Sequence, residues 1–173
     1  GRLVPRLLDY GYNVRVLVRN PKRIKDKVWF DQVDVFKGDV LDESSLSGLF
    51  DGISCAYYLI HSMESSNDFV RTDLRAASNF ARVSKRENLS RIVYLGGLAD
   101  ENSKLSTHLR SRQDTGKALS QFETQVIELR SSVIVGSGSL SFEMVRNLTE
   151  RIPIMICPQW VYTKTQPIAI SNV

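Results

Sequence analysis

The sequence contains little cysteine and little histidine, with two of each among 173 residues. Both cysteines, Cys55 and Cys157, lie in apolar runs. This position favours buried free thiols over a disulfide, and therefore a reducing, cytoplasmic compartment. Two histidines without a cysteine and histidine cluster predict no metal site. No apolar run approaches the roughly 20 residues that cross a bilayer, so we expect no membrane span.

The sequence also lacks a strong charge bias. The net charge is +4, and the lysines and arginines are scattered instead of forming a basic run. A nucleic-acid partner is therefore not expected. The 42% hydrophobic and 24% charged residues are ordinary for a globular domain with a core of its own.

Apolar strand patterns alternate with helical patterns along the whole chain. The predicted order is α-β-β-α-β-α-β-α-β-α-β, with longer helices at about 66–88 and 106–122. The runs "ISCAYYLI" and "RIVYLGG" are continuously apolar, which is typical of strands covered on both faces. This alternation predicts an α/β fold, a Rossmann-like doubly wound parallel sheet with right-handed crossovers.

The first strand of such a sheet is central and leads into a glycine-rich turn that faces a dinucleotide pyrophosphate. The sequence instead opens on a helical pattern. A sheet without its middle strand has two unpaired inner edges. We therefore expect residues 1–173 to form one NAD(P)-binding Rossmann-like domain, an internal fragment of a longer protein that lacks the first strand and the glycine-rich turn in this chain.

The helix predicted at about 106–122 carries an arginine where an apolar residue is expected. Its buried face is formed by Leu105, Leu109, Arg112, Gly116 and Leu119. His108 precedes Arg112 by one turn, so both side chains can point at one spot. From spacing alone, we expect the arginine to lay its stem along an apolar surface.

The helix at about 66–88 carries a carboxylate on its apolar face. Asp73 shares that face with Phe69, Ala76, Ala77 and Phe80. Burying an unpaired carboxylate is costly. Asp73 is therefore either partly exposed or bonded to neighbouring backbone, or it lies at the edge of the sheet and orients a water or a side chain.

Several segments resemble one known family. They are "GRLVPRLLDYGYNVRVLVRNPKRI", "GDVLD", "YYLIHSM", "RIVYLGGL", "HLRSR", "ELRSSVIVGSGSLSFEM" and "TQPIAI". Together they resemble the atypical short-chain dehydrogenase/reductase group, NmrA-like proteins described as NAD(P)-dependent epimerases, dehydratases or oxidoreductases. The resemblance covers nearly the whole chain and implies a strand followed by GxxGxxG before Gly1.

The resemblance also implies catalytic positions, and this sequence departs from the family at each of them. Asp73 stands at the family's Asn, Gly97 at its Ser, and His108 and Arg112 at the Tyr and Lys of YxxxK. We expect Arg112 to contact the nicotinamide ribose, His108 to act as acid or base, and Asp73 to orient His108. Gly97 offers close backbone approach but no hydroxyl.

Basic residues follow the second strand of the expected sheet. Arg19, Lys22 and Arg23 stand where an NAD site usually has an acidic residue, so they favour NADP over NAD. The alternative is a solvated basic turn. Asp39 and Val40 match the family position beside the adenine, although Asp39 can equally cap the next turn.

His61 and Ser62 follow "YYLI", at a strand end where ligands bind in this fold class. We expect both to line the cofactor site. Ser62, Ser131 or Ser132 can supply a hydroxyl, or each can simply satisfy turn backbone.

The favoured function is NADP(H) binding by an atypical short-chain dehydrogenase/reductase, an oxidoreductase or epimerase acting on an unknown small molecule. The alternative is a non-catalytic module that senses NADP(H) and binds a protein partner. A third interpretation, a partner-binding scaffold without cofactor, requires Arg19 and Arg112 to be structural.

Overall fold

A computed structural model describes residues 1–61, 68–98, 106–136, 138–152, 162 and 164–173. Helices and strands alternate along these ranges, as the sequence predicts. The described helices are α1 (Leu3–Asp9), α2 (Asp68–Arg86), α3 (Thr107–Leu119) and α4 (Leu140–Arg151). The described strands are β1 (Arg15–Val18), β2 (Asp34–Lys37), β3 (Cys55–Tyr58), β4 (Arg91–Gly97), β5 (Gln125–Ser131), β6 (Ile134–Val135) and β7 (Ile168–Ala169).

Every described strand pairing is parallel, which confirms the predicted sheet type. β1 pairs with β2, β4 lies between β3 and β5, and β6 pairs with β7. The orders β2-β1 and β3-β4-β5 are those found on the two sides of the first strand in a doubly wound sheet. The chain therefore has the predicted Rossmann-like fold, and that first strand is not among the described strands.

The core lies on one face of the three-stranded sheet, under α2 and α3. Tyr58 and Tyr94 are about 1% exposed, and the ring of Phe80 on α2 lies 5.0 Å from that of Tyr58. On the opposite face, Tyr57 is 43% exposed and Ile127 is 37% exposed. The prediction that "ISCAYYLI" is covered on both faces was therefore wrong, because α2 and α3 both pack against the same face.

The connection before β3 is fixed from two sides. Arg15 on β1 donates from one guanidinium nitrogen to three main-chain oxygens of loop 48–51, at 2.9–3.3 Å. The carboxylate of Glu87, just past α2, accepts from two main-chain N–H groups of the same loop, both at 2.9 Å. This loop therefore couples the two-stranded sheet to α2.

Local signals explain where several elements begin and end. Gly11 has a φ of +79° just after α1, a conformation that glycine adopts without strain. The side chain of Ser106 accepts from the N–H of Leu109 and caps α3. The short helix predicted in "DESSLSGLF" is a single 3₁₀ turn, Glu43–Leu46, capped by Asp42.

Candidate functional site

The candidate site lies where β3 and β4 end. Tyr58 is in register with Tyr94, so the carboxyl ends of the two parallel strands lie at one edge of the sheet. His61 follows β3 by three residues, and His108 lies in the first turn of α3. This is the edge at which ligands bind in doubly wound sheets.

Asp73 lies buried next to His61. It is 4% exposed, and its Oδ2 lies 3.1 Å from Nδ1 of His61. The alternative of a partly exposed carboxylate is therefore wrong. In the structure Asp73 contacts His61, whereas the sequence led us to expect that Asp73 would orient His108; that role stays a prediction.

The surroundings of His61 favour its neutral form. Burial is the largest cause that lowers the pKa of His61 below its ordinary value of 6.5, followed by the positive charge of Arg112. Asp73 acts in the opposite direction and His108 adds a smaller lowering effect. A neutral imidazole that donates from Nδ1 to Asp73 carries its lone pair on Nε2.

His108 connects this buried pair to the surface. Its ring centroid lies 4.7 Å from that of His61, with the ring planes at 77°. His108 itself is exposed, whereas the His61 side chain is 18% exposed. The two histidines of the chain therefore form one edge-to-face pair, with one imidazole inside and one at the surface.

Arg112 faces the sheet, as its spacing predicts. One guanidinium nitrogen donates to the main-chain oxygen of Leu95, and the guanidinium carbon lies 5.4 Å from the ring centre of Tyr94. The Tyr94 hydroxyl donates to the main-chain oxygen of Arg112 at 2.8 Å. Among the described residues, the bond to Leu95 is the single hydrogen bond of the Arg112 guanidinium. Its further N–H donors therefore remain for a ligand.

Gly97 lies where α3 approaches the end of β4. A Cβ at Gly97 would lie 3.0 Å from Cδ2 of Leu109 and 3.9 Å from Cβ of Arg112. A glycine therefore lets the first turns of α3 pack closely on the strand. It leaves the site without a hydroxyl at this position.

Two of the three basic residues that favour NADP in the sequence lie together at the end of β1. Arg19 and Arg23 line an open cleft of about 510 Å³. Its other lining residues are Val18, Asn20 and Ile24. Asn20 caps the following 3₁₀ turn by accepting from the N–H of Lys22, and Lys22 does not line the cleft.

Asp39 and Val40 lie past the end of β2. Oδ1 of Asp39 accepts from the N–H of Leu41 at 2.9 Å, which is the turn-capping role considered as an alternative. The main-chain oxygen of Val40 accepts from Nδ2 of buried Asn79 at 2.9 Å. Sequence reasoning missed Asn79, although its position three residues after Ala76 on the buried face of α2 was an available signal.

The remaining serine and cysteine candidates from the sequence add no described contact to the site. Ser62 and Cys157 lie outside the described residues, and Cys55 is a free thiol. Ser132 bonds to the hydroxyl of Thr165 at 2.6 Å, so its hydroxyl satisfies a local contact. In the part of the chain that the structure describes, no three metal-type side chains cluster, and no helix has the length and hydropathy to cross a membrane.

A family model described as NAD(P)H-binding matches residues 1–134. The chain therefore belongs to this NAD(P)H-binding family. This confirms the predicted membership of an NAD(P)-binding family, while the short-chain dehydrogenase/reductase and NmrA-like assignments stay predictions. No curated protein matches the chain by sequence.

Solved structures with the same fold include sugar-nucleotide enzymes. WbmG of Bordetella bronchiseptica, solved with NAD, has 14% identity and a TM-score of 0.72 over 98% of this chain and 61% of WbmG. UDP-glucose 4-epimerase of Thermotoga maritima, solved with UDP-glucose, has 12% identity and a TM-score of 0.72 over 99% of this chain and 66% of the epimerase. A nucleoside-diphosphate-sugar epimerase of Staphylococcus aureus has 16% identity and a TM-score of 0.67, with 85% and 49% covered. The chain thus spans about half to two thirds of these proteins.

Proposed function

We propose that this chain is the cofactor-binding part of an NADP(H)-dependent oxidoreductase or epimerase that acts on a small molecule. The observation that carries the proposal is the convergence of four side chains at the carboxyl ends of β3 and β4, in a chain of an NAD(P)H-binding family. They are His61, Asp73, His108 and Arg112. In doubly wound folds a dinucleotide lies across this edge.

The residues present suit a dinucleotide at both ends. Asn79 fixes the Val40 carbonyl at the expected adenine position. Arg19 and Arg23 provide two cations in the cleft expected to take the ribose of that half, and no described carboxylate lines this cleft. Such a cleft favours the 2′-phosphate of NADP over the free hydroxyl of NAD. WbmG, solved with NAD, supports dinucleotide binding by the fold.

At the nicotinamide end of the dinucleotide, Arg112 and His108 have separate roles. The guanidinium of Arg112 donates to a ribose hydroxyl while it remains anchored on Leu95. Arg112 stays protonated and cannot deliver a proton, so exposed His108 is the acid or base. The nicotinamide, when bound, supplies hydride transfer.

One observation favours a non-catalytic NADP(H) sensor as the second candidate. Gly97 has no hydroxyl, and the position of the family's lysine is held by an arginine that is already bonded to the strand. A sensor needs the cofactor contacts but none of the proton chemistry. In this case a protein partner takes the place of the small-molecule substrate.

The test is a fluorescence titration of NADPH and NADH into the full-length protein, followed by a carbonyl panel with bound NADPH. We expect tight NADPH binding, weaker NADH binding and oxidation by at least one carbonyl. Tight binding without turnover on any compound would favour the sensor. Failure to bind either nucleotide would contradict both candidates.

A further inference from the structure

One atom of the candidate site is left without a hydrogen-bond partner. Nε2 of His61 is buried and unpartnered among the described residues. Leaving a buried polar atom without a hydrogen bond destabilises the folded protein. In a native structure such an atom needs an explanation, and a nearby group that completes the bond is the simplest one.

The partner of Nε2 has to be a donor. The Asp73 carboxylate can only accept, so Nδ1 of His61 donates to it across the 3.1 Å contact. Burial and the charge of Arg112 lower the pKa of His61, which keeps the ring neutral at neutral pH. Nε2 therefore presents a lone pair.

Among the described residues, exposed His108 is the donor beside His61 that is free to move. The Ser111 hydroxyl is also buried and unpartnered, but Ser111 is 1% exposed and held inside the packing. Arg112 is anchored on Leu95, and the Tyr94 hydroxyl donates to the main chain of Arg112. The Tyr58 hydroxyl is also buried and unpartnered, but its ring is 1% exposed and packed between Phe80 and Tyr94. The His108 ring lies 4.7 Å from that of His61, and His108 is an exposed residue.

We propose that His61 is a positioning residue for His108. Asp73 fixes the tautomer of His61, and the exposed His108 ring, which touches His61 edge to face without a bond to Nε2, rotates to donate one N–H to Nε2, which selects one His108 tautomer. The second nitrogen of His108 then faces the exposed side of the site. The catalytic consequence rests on the proposed function, whereas the geometry of the pair does not.

In the reaction this arrangement moves a single proton. The outward N–H bond of protonated His108 breaks, and an O–H bond forms on the oxygen of the bound molecule. The electron pair stays on the outward nitrogen. His108 becomes neutral and keeps its inward N–H on His61, so the ring is held in one orientation before and after the transfer.

The chain's two histidines make this directly measurable by ¹⁵N NMR of histidine-labelled protein at about pH 8, above the ordinary imidazole pKa. We expect one tautomer for each ring in the wild type. In His61→Gln, the His108 signal should shift to a tautomer mixture, whereas Arg110→Gln, an exposed change on the same helix, should leave it unchanged. A mixture for His108 in the wild type, or an identical His108 signal in His61→Gln, would overturn the proposal.

Substitutions of Asp73 test the contacts from Asp73 through His61 to His108 while His61 itself is retained. Asp73→Ala removes the acceptor and should give a tautomer mixture for both rings. Asp73→Asn keeps an acceptor oxygen and should restore the single tautomer of His61. Unaltered tautomers in Asp73→Ala would refute the proposal even if His61→Gln does not fold.

An NADPH titration on the same samples separates this inference from the proposed function. If the wild type does not bind NADPH, the proposed function fails while the tautomer result still decides the His61 role. If turnover is found, His61→Gln should lower kcat about tenfold or more with little change in KM for the carbonyl. A tautomer change without any change in kcat would contradict the catalytic part.

Discussion

The guanidinium of Arg112 on α3 is hydrogen-bonded to the main-chain oxygen of Leu95 on β4. The pairing of β3 with β4 ends one residue earlier, at Tyr58 and Tyr94. A side chain from the helix thus bonds the strand just beyond the end of its β3 neighbour. The inward arginine is therefore a structural contact that also holds a cation at the edge where ligands bind in doubly wound folds.

Replacing Arg112 should affect both the ligand and His61. In Arg112→Gln we expect NADPH binding to weaken about tenfold, or about 1.4 kcal/mol, because a charged donor is lost. The pKa of His61 should rise, because the Arg112 charge lowers it in the wild type. Fluorescence titration and NMR titration measure the two effects, with Arg110→Gln as control. An unchanged His61 titration would show that the two side chains do not interact.

The cleft at the end of β1 should determine cofactor preference. Arg19→Gln removes one of its two cations, and we expect NADPH binding to fall about tenfold while NADH binding stays within about twofold. Lys22→Gln is the matched control, since Lys22 lies in the same turn but does not line the cleft. Parallel losses for both nucleotides in Arg19→Gln would indicate that Arg19 does not contact a 2′-phosphate.

His61 should make stability depend on pH. Its pKa is lowered in the folded protein, so below pH 6.5 the unfolded chain binds more protons than the folded one. The stability that His61 contributes is present above pH 6.5 and is lost as the pH falls through its folded pKa. Thermal unfolding of the wild type and His61→Gln at several pH values measures this. We expect a shallower fall in the variant, and equal slopes would contradict it.

The loop before β3 should depend on Glu87. Glu87→Gln replaces a carboxylate that accepts two main-chain N–H groups with an amide that has one acceptor oxygen. One N–H is then left without its partner, and we expect a loss of about 1–3 kcal/mol in the free energy of unfolding. Denaturant unfolding checks this value. Glu150→Gln, an exposed change on α4, should have little effect, and equal stability of the two variants would argue against the role of Glu87.

The fold was largely predictable because it depends on patterns within single segments. The predicted helices at about 66–88 and 106–122 correspond to α2 and α3, which the structure describes as Asp68–Arg86 and Thr107–Leu119. Residues 66 and 67 lie outside the described residues. The parallel strands followed from their alternation with helices. The partial exposure of one face of β3 was not predictable in the same way. An apolar run does not indicate against which face of the strand the helices will pack.

The site was predictable in its members and less so in its contacts. The sequence indicated Asp73, His61, His108 and Arg112, since each lies near a strand end or on a buried helical face. It did not indicate that Asp73 would bond to His61. Asp73 lies on α2 and His61 follows β3, so the two side chains meet only through tertiary packing. The roles assigned to these side chains stay predictions until the measurements above are made.

Helix α2 contacts the candidate site at two places. Asp73 bonds to His61 at the β3 end, and Asn79 bonds to Val40 at the β2 end. At 1.5 Å per residue, their separation of six positions sets an axial spacing of roughly 9 Å. The helix thus acts as a fixed spacer between the parts of the site expected to hold the two nucleotides. A single inserted residue between Asp73 and Asn79 would turn one contact by about 100° relative to the other, so this stretch should tolerate substitution on its exposed side but no change in length.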